Sequence, residues 1–179
     1  MKKYILGILV VLLVIFASGC IGNNSSDDDN KTQVQTIAQN GVLIKFPADW
    51  VLANSQSNNS LVSVVDPASL DSSNVGKINV NVQKMELSGS LDSFVNNTYK
   101  SMESNSSITI QTLGSVVVGN YEGIECIYFE DDGSDVKQHR AIWIEHGSEV
   151  YVVLCTAPQS DFDGVAKYFD FIVNNFRIT

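Results

Sequence analysis

The sequence predicts an α+β domain built on a mainly antiparallel sheet with helices packed on it, and three observations predict it. Segments of period-two alternation recur between residues 41 and 156, separated by polar turns. Two other stretches carry apolar residues at helical spacing, one mid-chain and one near the end. The last three strand-like segments are joined by short Gly-containing turns, which make hairpins and therefore antiparallel neighbours.

In order, Gly41–Phe46 reads as a strand stopped by Pro47, and Leu61–Val65 as a second ended by Asp66-Pro67. Ile78, Val80 and Val82 alternate with Asn79, Asn81 and Gln83, the pattern of a strand with one buried face. Leu91, Phe94, Val95, Thr98 and Met102 lie at i, i+3, i+4, i+7 and i+11, so they share one helix face, with Ser90 as the N-cap. Ile108–Val118, Gly123–Glu130, Lys137–Glu145 and Glu149–Thr156 supply further strands, turning at Asp131–Asp135 and His146–Ser148. Phe162, Val165, Ala166, Phe169, Ile172, Val173 and Phe176 form a second helical stripe, with Ser160 and Asp163 as a variant capping box. Both stripes are read as core-facing surface rather than as a lipid or cofactor site.

The N-terminus has a different character. Lys2 and Lys3 precede an apolar run, Ile5–Phe16, of 12 residues, whereas a helix needs about 20 to span a bilayer. A basic start, a short apolar stretch and the small residues Ala17-Ser18-Gly19 describe a secretory signal peptide over 1–19. Small residues immediately before Cys20 resemble a lipobox, in which the Cys20 thiol receives the lipid; Ala17 stands where Leu is usual. Firm anchoring then implies two or more acyl chains, since one binds only marginally. Residues 20–40 are polar and irregular and read as the lipidated cysteine followed by a flexible tether. Asp27–Asp29 within it is a solvated spacer rather than a cation site. The folded domain is placed at 41–179.

The 179 residues carry 20 acidic and 11 basic side chains, a net charge of −9. Loss of Lys2 and Lys3 with the leader would leave nine of the 11 basic side chains against all 20 acidic ones, a net of −11. An acidic chain with only two arginines, Arg140 and Arg177, lacks the clustered cations a nucleic-acid binder needs. Asn-X-Ser/Thr sequons begin at Asn23, Asn24, Asn30, Asn58, Asn96 and Asn105, candidate glycosylation sites in an exported protein.

Gly41-Val42-Leu43-Ile44-Lys45-Phe46-Pro47-Ala48-Asp49-Trp50 resembles the opening of PsbP-like domains: a strand, an aromatic, Pro, two residues and Trp. The closing run from Tyr168 to Ile178 is similar to that family's last helix and terminal Phe-X-Ile, and Gly123-Ile124-Glu125-Cys126 resembles its Gly-X-X-Ala strand start. Phe46 replaces the common Tyr, Asp49 the common Gly and Cys126 the Ala. The resemblance covers 41–179 and implies an α-β-α sandwich with a central antiparallel sheet. Plant members are extrinsic lumenal proteins that help a photosystem hold manganese and calcium. That role does not transfer with the fold, because one fold hosts unrelated functions.

Few residues carry chemistry. Asp131, Asp132 and Asp135 crowd one turn and, with His139 in the next strand, are the candidate metal ligands. Their spacing departs from the Asp-X-Asp-X-Asp-Gly calcium loop, and a solvated turn is the default reading. The hairpin register separates His139 from His146 and puts it roughly three residue pairs from Cys155 or its neighbour. No Gly-X-Ser-X-Gly elbow, Ser-X-X-Lys pair or glycine-rich phosphate loop occurs. Cys155 lies in an apolar strand, where thiols are inert. In a meander Cys126 faces Ala141, which faces Val153 or Leu154. The two cysteines are then about 9.6 Å apart, too far for a disulfide. The expectation is a non-enzymatic lipoprotein without a cofactor, lipid-anchored on the extracytoplasmic side of the cell membrane, whose domain binds a protein partner or small ligand. A divalent-metal-binding accessory is the alternative, and a cell-envelope hydrolase has the least support.

Overall fold

The computed structural model describes residues 33–179. The signal segment, Cys20, most of the tether and the sequons at Asn23, Asn24 and Asn30 lie outside the described residues. In chain order the fold runs β1 (Val34–Gln39), β2 (Val42–Pro47), β3 (Val51–Leu52), β4 (Ser60–Val65), a 3-10 turn at Pro67–Ser69 and β5 (Asn79–Glu86). Helix α1 (Leu91–Met102) follows, then β6 (Ile108–Val118), β7 (Tyr121–Asp131), β8 (Val136–His146), β9 (Glu149–Pro158), α2 (Gln159–Asn174) and β10 (Arg177–Ile178).

Seven strands form one antiparallel sheet in the order β3-β4-β5-β9-β8-β7-β6. The chain leaves β5 inside the sheet, crosses one face as α1, restarts at the far edge as β6 and meanders back until β9 pairs with β5. A smaller antiparallel sheet, β1-β2-β10, joins the chain's last residues to the first described hairpin.

Each face of the large sheet has its own core. On one, Val95 and Tyr99 of α1 cover Cys126, Tyr128, Ala141, Trp143, Val150 and Val152. The Trp143 indole N–H donates to Tyr99 Oη at 2.8 Å, satisfying two polar groups that burial would otherwise penalise. On the other, Phe162, Phe169, Ile172 and Val173 of α2 pack on Val80, Val82, Ile142, Ile144 and Val153. Val42, Ile44 and Phe46 of β2 and the following Trp50 close the same core. Strands covered on both faces explain why β9 reads as a nearly unbroken apolar run. The result is the α-β-α sandwich the sequence implied.

Four local expectations change. Residues 34–39, read as tether, are a strand: β1 pairs with β2 from Val34↔Pro47 to Gln39↔Val42. Asn40-Gly41, with φ of 52° and 80°, is the tight turn between them, so the domain begins before residue 41. On α1, Thr98 spends its hydroxyl on the Phe94 carbonyl, at 2.9 Å, and Tyr99 takes the buried position instead. The capping box at Ser160 does not form: β9 runs directly into α2 at Pro158, no side chain caps the helix, and Ser160 Oγ bonds Asp161. The polar face of β5 is not bathed in solvent, because Asn81 is nearly buried and bonds Ser55 and Ser60.

Candidate functional site

His139 stands inside β8 between two strands, and both neighbours hold its ring. It pairs with Tyr128 of β7 and Thr156 of β9. The imidazole stacks on Tyr128 with centroids 4.5 Å apart and planes 14° from parallel. Nδ1 lies 2.9 Å from Thr156 Oγ1. Nε2 lies 3.3 Å from Glu130 Oε2 but is not aligned for a hydrogen bond, so this buried nitrogen has no hydrogen-bond partner. The residue is only 7% exposed.

His139 is part of the wall of a cavity of about 510 Å³ between the β4–β5 connection and the β7–β8 turn. Lys77 comes from the connection and donates to Asp135 at 3.0 Å; Lys137, on β8, donates to Asp132 at 3.2 Å. These exposed pairs add little stability, but they set alternating charge on the wall. The acids also build the local backbone. Asp132 accepts from Ser134 N, Ser134 Oγ and Asp135 N, and these bonds, headed by the Ser134 hydroxyl, hold its carboxyl far below the usual range. Asp131 accepts from Gly133 N. Across the cavity, Asp71 accepts from Val75 and Ser73 backbone N–H groups, which lower its pKa.

The candidate metal set is therefore brought together only in part. Asp132, Asp135 and His139 share the cavity wall and Asp131 does not. Among the described residues, no three His, Cys, Asp or Glu side chains are grouped to hold one metal ion. Four charged wall residues escaped the sequence reading: Asp71, Lys77, Glu130 and Lys137. Lys77 arrives from 58 residues before its partner Asp135, a separation no local motif reports.

His139 pairs with Thr156 and lies diagonally beside Cys155, closer than the sequence register suggested, yet the two sit on opposite faces of the sheet. His146 lies exposed in the β8–β9 turn region, edge-on to Tyr151 at 6.3 Å. Cys126 pairs with Ala141, which pairs with Leu154, as the meander requires. Cys126 belongs to the α1 core and Cys155 to the α2 core, both as free thiols. Burial pushes the Cys126 thiol up and the Cys155 thiol up to about 12, so neither is a thiolate near neutrality. The sequons at Asn58, Asn96 and Asn105 are exposed. Among the described residues no helix is long and apolar enough to cross a membrane.

Burial lowers the His139 pKa below its ordinary 6.5, against the opposing pull of Glu130. The neutral ring is thus the folded form, and stability tied to it is complete above pH 6.5 and is lost as pH falls toward the folded pKa. Lys137, Glu130, Tyr128 and Thr156 are the groups that face it. Thermal melts at pH 7.5 and 5.5 should show a drop in Tm on acidification that His139→Gln reduces. An equal drop in both proteins would show that this ring is not what titrates.

The fold and site define a small α+β sandwich protein with Cys126 and Cys155, the thiols among the described residues, sealed in two cores and a polar, ligand-sized cavity at one end of the sheet. The chain belongs to the PsbP-like family: the family model described as PsbP-like protein matches residues 8–178. It is similar to the solution structure of cyanobacterial PsbP (CyanoP) from Synechocystis sp. PCC 6803, with a TM-score of 0.62 and 13% identity over 87% of this chain and 98% of that one. LpqN of Mycobacterium tuberculosis, described as involved in cell envelope biogenesis, gives 0.59 and 13% over 84% and 93%. A Bacteroides thetaiotaomicron VPI-5482 structure gives 0.51 and 13% over 78% of this chain and 45% of that one. At such identities the likeness is one of fold. No curated protein matches the chain.

Proposed function

We propose that this chain is a lipoprotein anchored on the extracytoplasmic side of the cell membrane, whose folded domain is a non-catalytic binding module. The observation that carries the binding half is the cavity bordered by His139. A buried ring nitrogen without a hydrogen-bond partner and two Lys–Asp pairs converge on one concavity, the arrangement expected of a polar ligand or partner site. The described cysteines, the chain's strongest candidate nucleophiles in that region, are protonated and sealed away. The anchor half rests on the sequence alone, from Lys2 through the apolar run to Cys20.

Two measurements on the full chain expressed in cells test these halves separately. Mass spectrometry of the N-terminal peptide should find it beginning at Cys20 and carrying lipid mass; an unmodified peptide beginning at Met1 would overturn the anchor. Amine-reactive cross-linking on intact cells should join Lys77 or Lys137 reproducibly to another molecule. No such adduct across linkers of several lengths would sink the binding reading.

A divalent-metal-binding accessory role is the second reading, favoured by His139 Nε2 lying beside the Glu130 carboxylate. Asp132 and Asp135 would have to leave Lys137 and Lys77 to complete the shell. Calorimetry with Ca²⁺, Mn²⁺ and Zn²⁺ that gives no heat at millimolar concentration would remove it.

A further inference from the structure

The two edges of the large sheet are unlike. β3, at one end, is two residues long. β6, at the other, runs for 11 residues, Ile-Thr-Ile-Gln-Thr-Leu-Gly-Ser-Val-Val-Val, without a charge or a proline. An edge strand presents a row of unpaired backbone N–H and C=O groups, and proteins usually blunt such an edge with charge, proline, a bulge or brevity. β6 has only the bulge, where its register with β7 shifts between Ile110 and Thr112.

From Thr112 to Val118 the register is unbroken up to the two-residue turn Gly119-Asn120. In a hairpin of this length the closing pair, Val118 and Tyr121, exchanges hydrogen bonds, and bonded and non-bonded pairs alternate from there. Leu113, Ser115 and Val117 therefore turn their N–H and C=O groups to the open edge. Their side chains share the α1 face, since Leu113 pairs with Cys126 of that core. Leu113 is 43% exposed and Val117 70%. Among the described residues no other strand pairs with this edge.

We propose that β6 pairs antiparallel with β6 of a second copy of this chain, about a two-fold axis at Ser115, to make one sheet continuous across the dimer. The sequence of the edge selects that occupant. With the axis at Ser115, Leu113 falls opposite the partner's Val117 and Val117 opposite the partner's Leu113, so the two exposed apolar side chains cover each other twice. Cross-strand pairs of this kind are the stabilising unit of a sheet. Gly114 meets the partner's Val116 and Thr112 the partner's Val118, with no charge in the seam. For a chain of net charge −9, an uncharged strip is where two copies meet with least repulsion. Seven residues a side make a contact below the size of a stable interface, so the dimer is concentration-dependent.

The test uses the purified full chain in mild detergent. Ser115→Cys places two thiols across a bonded antiparallel pair, where Cα atoms about 5.5 Å apart suit a disulfide. Oxidation should give a covalent dimer, and Asn58→Cys, on an exposed loop, should not. In sedimentation velocity, Val117→Lys should weaken dimerisation at least about tenfold with an unchanged Tm, and adding Leu113→Glu should restore it by setting opposite charges across the seam. Ser115→Cys cross-linking no better than the control would overturn the proposal. So would dimers that persist in Val117→Lys, or a charge pair that fails to restore them. A chain that stays monomeric at all concentrations would overturn it as well.

Discussion

Phe169→Ala is expected to cost about 3–5 kcal/mol of stability and to lower Tm by about 10 °C or more. Phe169 is fully buried at the middle of α2. Its ring meets Phe162 with centroids 5.2 Å apart and Trp50 edge-on at 6.3 Å. Trp50 lies in the short link between β2 and β3, so one side chain joins the helix, the small sheet and the large sheet into a single core. The same core includes Val80 and Val153 on neighbouring interior strands, whose backbones are held by ladders on both sides. Such a site collapses poorly when a ring is removed, which places the cost in the upper part of the range for large-to-small changes. Phe171, two residues on and only half-buried, should cost much less when truncated. Chemical denaturation of both variants measures the contrast. Equal losses would mean that α2 is held by general burial rather than by this aromatic cluster.

The parts of the fold that were legible before the structure are those whose information is local. From β6 to β9 each strand is followed by its own turn, so the turns fix the register. Counting puts Cys126 opposite Ala141 and Ala141 opposite Val153 or Leu154, and the pairs formed are Cys126↔Ala141 and Ala141↔Leu154. The placement of β5 beside β9 is of another kind. It depends on which edge α1 delivers the chain to, and nothing within α1 encodes that. β1 was hidden differently. Asn40-Gly41 is a strong hairpin signal, but the six residues before it are almost all exposed and carry no apolar face to announce a strand. Their order comes from pairing with β2, a strand that is buried by its other contacts.

The candidate site divides along the same line. The polar turn at 131–135 and His139 stand out in the sequence because they interrupt apolar strands. What the sequence hides is their purpose: Asp131 and Asp132 shape the turn through backbone N–H groups. The opposing wall, with Asp71 and Lys77, comes from a separate connection that only the packing of β4, β5 and β9 brings near. A search for ligand spacing along the chain finds one half of such a cavity at best.

The two glycines within the strands of the β6–β7 hairpin, Gly114 and Gly123, should respond to alanine with opposite signs. Neither has a left-handed backbone, so conformational strain is not at issue, and each substitution gains about 0.4–1 kcal/mol by restricting the unfolded chain. At Gly114 an added Cβ meets nothing within 4 Å, and that gain stands. At Gly123 the Cβ would lie 2.5 Å from the Trp143 carbonyl oxygen and 3.4 Å from Ile144 Cγ1. The obstructing atom is backbone, on a strand fixed on its far side by β9, so it cannot swing away as a side-chain tip can. Relief requires prying β7 from β8 near Ile144, and overpacking of this kind costs about 3 kcal/mol at its upper end, several times the entropic gain. Gly123→Ala is accordingly expected to destabilise by about 2 kcal/mol or more, and Gly114→Ala to leave the domain unchanged or slightly more stable. Urea titration of both would decide it. Equal midpoints would refute the close approach of the strands as the reason for glycine at the head of the Gly-X-X-Cys segment. The opposite signs would give that segment a physical cause: the glycine admits the neighbouring carbonyl, and the small buried Cys126 three residues on leaves room for Tyr99 and Trp143 on the α1 face.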